Sequence, residues 1–479
     1  MKRLLFKKMG DFCVGETKSR NNFTGTLGFV MAAAGSAIGL GNIWRFPFLA
    51  ARDGGGLFLA VYLLLVATFG YTLLSSEIAI GRKTRQGPLT AYSRLDKRGS
   101  LIGILACIVP VLILPYYCVI GGWVLKYLAA FASGAGVMAA GDKYFTGFIT
   151  STWEPILWFG IFMAAVLFVI YMGVEKGIEK YSKVLMPVFF VLVIGVSLYS
   201  LTLSYTDANG VTRTGWEGFL IFTIPDFTGL TLSKFLNVLM DAMGQLFYSI
   251  SVAMGIMVAY GSYAKEDTDL GKSINQIEFF DTLAAFLAGV MIIPAVFTFM
   301  GREGMSAGPA LMFISLPKVF NAMGGAAGMI IGLVFFLMVF FAALTSAISV
   351  QEAIVASFMD RFSWSRTKTT FLIGLYAIIG GIIVCLGYNI FYFEMPLPNG
   401  AVAQILDLMD YISNVVMMPL VAIGECLLIG WFVGPDWVIN EIERGKYKFS
   451  RKNMYVIMVK YITPVLLFVL FLQAFGVFN

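Results

Sequence analysis

The chain has 479 residues, of which 59% are hydrophobic and 13% charged, with a mean hydropathy of +0.83. A soluble domain carries roughly 45 to 50% apolar and about 25% charged residues, so a water-facing enzyme is excluded and most of the surface belongs to a bilayer. Histidine is absent and the formal net charge is +6, which removes the usual proton relay, the usual metal ligand and Ser-His hydrolase chemistry.

A basic arm comes first, with Lys2, Arg3, Lys7, Lys8, Lys18 and Arg20 among polar residues and no cleavage pattern, so it reads as a cytoplasmic segment and not as a signal peptide. Apolar runs then predict spans near 26–50, 56–80, 101–132, 154–172, 184–204, 236–262, 277–301, 326–359, 369–388, 403–433 and 454–477. The loops after the even-numbered spans carry Arg82 to Arg98, Lys176 to Lys183, Lys265 and Lys272, Arg361 to Lys368, and Arg444 to Lys452. With the arm, about 25 of the 34 Lys and Arg lie on one side. The positive-inside rule makes that side cytoplasmic, puts the C-terminus outside, and places the chain as a multi-pass protein of the plasma (inner) membrane. This topology accounts for the net charge, so no nucleic-acid partner is expected. Cys13, Cys107, Cys118, Cys385 and Cys426 stand singly, with neither disulfide nor zinc spacing.

The first span holds Gly35-Ser36-Ala37-Ile38-Gly39-Leu40-Gly41-Asn42 at its middle. Three alternate glycines weaken a helix by roughly 1 kcal/mol each, which predicts a break. The sixth span has a hydroxyl-rich centre, Tyr248-Ser249-Ile250-Ser251-Val252-Ala253-Met254-Gly255. Paired interrupted spans in corresponding halves point to a transporter's binding site; the competing explanation is small-residue helix packing.

Residues 35–47, reading Gly-Ser-Ala-Ile-Gly-Leu-Gly-Asn-Ile-Trp-Arg-Phe-Pro, resemble the first-helix signature of the neurotransmitter:sodium symporter family. The resemblance continues through Gly54-Gly55-Gly56, Tyr116-Tyr117, Gly177 and Pro187, and Leu344-Thr345-Ser346. It implies an all-α polytopic protein of the leucine-transporter type with eleven transmembrane helices, a 5+5 inverted repeat with broken helices 1 and 6 plus one appended helix. The implied divisions are an arm at 1–25, a first repeat at 26–204, an extracellular loop at 205–235, a second repeat at 236–433, a cytoplasmic loop at 434–453 and the eleventh helix at 454–479. Many family members have a twelfth helix, which this sequence does not show.

The same resemblance implies two sodium sites and no organic cofactor. Ala37, Asn42, Ser249 and Asp281 would hold the first ion with the substrate carboxylate; Gly35, Ile38, Ala342, Thr345 and Ser346 would hold the second. Hard oxygen ligands of these kinds suit sodium, although Thr and Ser in membrane helices also bond back to their own carbonyls. The substrate site would draw on Ser36, Ala37, Gly39, Leu40, Gly41, Ile113, Tyr117, Tyr248, Ser249, Ser251, Met254, Ser346 and Val350. Family members that carry amines have Asp at the position of Gly39, so Gly39 implies a small neutral amino acid that brings its own carboxylate. Asp281 stands where Asn is commoner and Ala285 where chloride-dependent members carry Ser, so Asp281 would supply the fixed negative charge beside Tyr62, Gln245 and Ser249. The gates would be Arg45 with Asp410 outside and Arg20 with Asp360 inside. Tyr117 and Tyr248 would form the lid and Phe23 a cytoplasmic plug, while the element from Gly177 to Pro187 would either unwind or simply end a turn. Glu77 and Glu425 read as buried structural carboxylates.

The function so implied is sodium-coupled import of a neutral, hydrophobic amino acid by alternating access, independent of chloride. Proton coupling on the same fold is the alternative within that class. A channel or receptor would need a continuous polar lining, which the spans lack. Oligomeric state is open.

Overall fold

Inside hydrocarbon every backbone N–H and C=O must find its partner within the chain, and a sequence this apolar meets that demand with helices. The computed structural model describes residues 22–207, 210–304 and 311–477. Among them are nine continuous apolar helices long enough to cross a membrane: Gly56–Thr84, Gly99–Ala132, Glu154–Met172, Val174–Leu201, Leu270–Arg302, Gly325–Phe362, Arg366–Leu386, Ile405–Val433 and Lys452–Ala474. A tenth crossing is the pair Thr26–Ala37 and Gly41–Arg52, bent by 54° at the glycine run. The segment expected at 236–262 is two helices, Leu232–Ile250 and Ile256–Tyr263, separated by five non-helical residues. The count of eleven therefore rests on taking these two pieces as one crossing.

The longest helices form the centre. Gly99–Ala132 packs along Gly325–Phe362, where Gly332 lets the Phe131 ring approach so closely that a Cβ would sit 2.2 Å from it. Peripheral helices turn apolar stripes outward: Val184, Val188, Val191 and Leu198 are exposed on one face of Val174–Leu201, the spacing of a helix face that meets lipid. Between the crossings lie features not anticipated from the sequence. One is the short helix Pro88–Leu95; others are the helices Gly215–Thr223 and Leu316–Ala322, and two small hairpins, Ser204–Thr206 with Thr212–Thr214 and Met395–Pro396 with Val402–Ala403.

The second break is held by backbone geometry that glycine favours. Ser251, Ala253 and Gly255 have φ of 54°, 60° and 71°, and a non-glycine left-handed residue is strained by roughly 1 to 2 kcal/mol. The half-helix beyond it, Ile256–Tyr263, lies against Tyr71–Thr84 at backbone distance: a Cβ on Gly81 would stand 2.0 Å from Val258 O, and one on Gly261 2.4 Å from Ile78 O. Gly261→Val should therefore displace this half-helix and abolish the monodisperse size-exclusion peak of the purified protein. Gly195→Ala, which meets nothing within 4 Å, should leave that peak and the melting temperature unchanged; an unaffected Gly261→Val would refute the packing argument.

Candidate functional site

Breaking a helix frees backbone amides, and here side chains receive them. At the first break Gly39 N–H donates to Asn42 Oδ1 at 3.1 Å and Leu40 N–H to Tyr117 Oη at 3.3 Å. At the second, Ala253 N–H donates to Glu77 Oε1. The two breaks also grip each other. Ser251 Oγ donates to Ser36 O at 3.1 Å, Gln245 Nε2 to Gly41 O at 3.0 Å, and Asn42 Nδ2 to Ser249 Oγ at 2.8 Å.

Three of the residues expected to hold the first sodium ion meet in this fully buried region. Asn42 Nδ2 lies 2.7 Å from Asp281 Oδ1, Ser249 Oγ lies 2.9 Å from both Asp281 oxygens, and Tyr62 Oη donates to Ser249 at 3.0 Å. Ala37, also buried, ends the first half-helix. Among the described residues no basic side chain pairs with Asp281. Tyr62 thus reaches the cluster through Ser249, whereas Gln245 turns its amide nitrogen to Gly41 and leaves its Oε1 buried without a partner.

The second set gathers at the other side of the first break. Ser346 Oγ donates to Ser36 O at 2.9 Å and lies 3.4 Å from Ile38 O. Thr345 Oγ1 bonds back to Phe341 O at 3.0 Å and Ala342 O at 3.2 Å, and a Cβ on Gly35 would lie 3.5 Å from Thr345 Cβ. The hydroxyls and carbonyls named from the sequence are neighbours, and Thr345 uses its hydroxyl as an ordinary membrane-helix threonine does.

Beside both clusters is a cavity of about 30 Å³ lined by Ser36, Gly39, Leu40, Gly41, Ile113, Tyr117, Tyr248, Ser251, Met254, Ile256, Ser346, Val350 and Asn414. Eleven of these were anticipated; Ala37 and Ser249 stand behind the wall, and Ile256 and Asn414 are additions. A water needs roughly 10 to 15 Å³ on this measure, so the cavity as it stands has room for about two or three waters and not for a whole amino acid. Tyr248 and Asn414 also border a larger recess of about 420 Å³ that includes Arg45, Arg52 and Asp241.

The expected gates differ in outcome. Arg45 lies over the Tyr248 ring, 5.3 Å from its centroid, and among the described residues no ion pair joins it to Asp410. Asp410 Oδ1 instead accepts from Tyr116 Oη at 3.1 Å, Tyr248 Oη at 2.7 Å and Asn414 Nδ2 at 2.6 Å. Asp360 Oδ2 accepts Gly87 N–H at 2.5 Å; Arg20 lies outside the described residues. Phe23 is buried edge-on to Tyr260 and Tyr263. Glu425 accepts Tyr92 Oη at 2.9 Å. The stretch after Gly173 opens as a π-helical turn, Val174–Glu179, and Pro187 lies inside the helix that follows, Lys180–Leu201, without ending it. Asn414 was readable in the sequence as the polar residue one turn after Asp410.

Comparison with known proteins places the whole chain. The model of the sodium:neurotransmitter symporter family matches residues 20–137 and 150–479. An uncharacterised sodium-dependent transporter of Bacillus subtilis, YhdH, is 34% identical over 464 residues, covering 95% of this chain and 97% of that one. The mouse sodium- and chloride-dependent GABA transporter 2 is 26% identical, covering 89% and 75%. The crystal structure of MhsT in complex with L-phenylalanine superimposes with a TM-score of 0.82 at 33% identity, covering 95% of this chain and all of that one.

If the serine and threonine hydroxyls beside the first break bind an ion, sodium should raise the melting temperature of the purified protein over potassium. Thr345→Ala combined with Ser346→Ala should remove most of that rise; a full sodium shift in the folded double variant would count against these hydroxyls as ligands.

Proposed function

Since the chain belongs to the sodium:neurotransmitter symporter family, whose members are multi-pass secondary transporters and not enzymes, we propose that it imports a neutral amino acid together with sodium, independently of chloride. The observation that carries this reading is the meeting of Asn42, Ser249 and Asp281 against a cavity with no charged side chain in its lining. A buried carboxylate without a basic partner is destabilised by several kcal/mol unless a cation or proton neutralises it. A bound sodium ion satisfies that demand, and the fixed charge of Asp281 takes the place of chloride. Gly39 leaves room for the substrate carboxylate: a Cβ there would lie 2.8 Å from Ser346 Oγ and 3.1 Å from Tyr117 Oη. The absence of charge in the lining favours an uncharged side chain, and MhsT was crystallised with L-phenylalanine.

The reading includes two sodium ions, the first at Ala37, Asn42, Ser249 and Asp281 and the second at Gly35, Ile38, Ala342, Thr345 and Ser346. It takes residues 26–204 and 236–433 as inverted five-helix repeats, the N-terminus as cytoplasmic and the C-terminus as extracellular. Proton coupling is the second reading, favoured by Asp281, Glu77 and Glu425, each buried and, among the described residues, without a basic side chain within 4 Å. Proteoliposomes under separately imposed sodium and proton gradients distinguish the two: uptake driven by sodium alone is expected, and uptake driven only by protons would replace this reading with the second.

Replacing external chloride with gluconate should leave uptake within twofold of its control rate; an arrest of transport would remove the role given to Asp281. Gly39→Asp should abolish amino-acid binding, because two carboxylates about 3 to 4 Å apart in a water-poor site repel by several kcal/mol. A sodium-induced melting shift in the same sample separates this effect from misfolding, and unchanged affinity in the folded variant would place the substrate carboxylate elsewhere.

A further inference from the structure

Asn414 follows Asp410 by one turn, inside the π-helical stretch Tyr411–Met417 of the crossing Ile405–Val433. With Tyr248 it borders both the substrate cavity and the outer recess, so the pair is the partition between them. Its amide nitrogen is 2.8 Å from Tyr116 Oη, 3.1 Å from Tyr248 Oη and 2.6 Å from Asp410 Oδ1. The orientation of the amide follows from chemistry: the Asp410 carboxylate only accepts, so the NH₂ group must face it. Both tyrosine hydroxyls then donate to Asp410, and the two amide hydrogens of Asn414 are shared among Asp410 and the two tyrosine oxygens. Every donor that reaches Asp410 in this cluster is neutral, while the Arg45 guanidinium lies on the Tyr248 ring.

The other end of the amide is informative as well. Asn414 Oδ1 is buried with no hydrogen-bond partner. An orphaned acceptor is destabilising, so packing alone does not account for an amide at this position.

We propose that Asn414 is a positioning residue that latches the aromatic lid, holding the Tyr248 ring over the substrate cavity through neutral hydrogen bonds in the place where an Arg45–Asp410 ion pair would act. This rests on the reading of the cavity as a neutral amino-acid site and identifies the residue that sets how fast a bound substrate escapes through the outer recess. Losing the amide removes hydrogen bonds to a carboxylate and to the lid hydroxyl, so escape accelerates while the sodium clusters, which Asn414 does not contact, are unaffected.

The test is the dissociation rate of a radiolabelled neutral amino acid from the purified full-length protein in sodium after isotopic dilution. Asn414→Leu should dissociate roughly tenfold to a hundredfold faster, with the association rate and the sodium-induced melting shift unchanged. A purely structural role would lower the sodium shift and both rates together. Tyr248→Phe, which keeps the ring and removes the hydroxyl that the latch grips, should reproduce the acceleration if Asn414→Leu does not fold. A dissociation rate within twofold of wild type in either folded variant overturns the latch and leaves the transport reading intact. Wild-type protein that binds no neutral amino acid overturns both.

Discussion

Two interrupted helices at membrane depth impose the condition on which the rest of this structure depends: backbone groups released from helical pairing have no water to turn to. The chain satisfies the breaks largely with each other. Ser251 and Gln245 reach carbonyls of the first break, Asn42 reaches Ser249 at the edge of the second, and Glu77 and Tyr117 supply what the breaks cannot. Oxygen atoms are thereby concentrated at one depth, and a cavity lies beside them. Polar chemistry in the middle of an apolar molecule is the direct product of the broken backbone, and the two polar clusters and the cavity beside them are consequences of one constraint.

Asp281 is a costly group in that region. Asn42 and Ser249 give its carboxylate neutral donors, which offset part of its desolvation but bring no charge. The proposed coupling follows from this imbalance, because a cation arriving at Asn42, Ser249 and Asp281 is stabilised by a charge that the fold already carries. The same argument explains why a chloride ion is dispensable in the reading advanced above, since a second anion beside Asp281 would repel it at short range.

The helices and both breaks were legible in the sequence because length, hydropathy and glycine spacing are local signals. The line from Gly35 to Asn42 announces its own interruption, and Asp281 declares itself as a carboxylate in an apolar run. The form of the second break was not legible. Ala253 has a side chain that disfavours φ of 60°, and a tertiary hydrogen bond from its amide to Glu77, 176 residues earlier in the chain, helps to hold the conformation. Asn414 shares a helix face with Asp410, yet nothing local says that its amide meets hydroxyls from two other helices. The expected pairing of Arg45 with Asp410 failed to form for a related reason: Tyr248 carries a hydroxyl, so its ring can receive Arg45 while its oxygen occupies Asp410. The helix Pro88–Leu95 escaped notice because eight residues with Pro at the start and three polar side chains read equally well as a loop.

The entry to the first half-helix shows how such distant contacts join separate elements. Glu179, at the end of the π-helical turn that opens the crossing Val174–Leu201, accepts the backbone N–H of Thr24 at 2.8 Å and also the Thr24 hydroxyl, while Lys183 pairs with it from the next turn at 2.6 Å. Gly28 is bare so that this carboxylate can approach: a Cβ there would lie 2.1 Å from Glu179 Oε1. The entry to the first half-helix is thus clasped by the irregular start of another crossing, and Phe23 beside it is held among Phe29, Tyr260 and Tyr263. Neither element can swing away alone without leaving the Thr24 amide unpaired and stripping two donors from a nearly buried carboxylate, which then keeps only Lys183. In the transport reading advanced above, opening toward this side has to release the Thr24 contacts, and the π-helical turn at 174–179, with its looser backbone pairing, is where the structure already departs from a rigid helix.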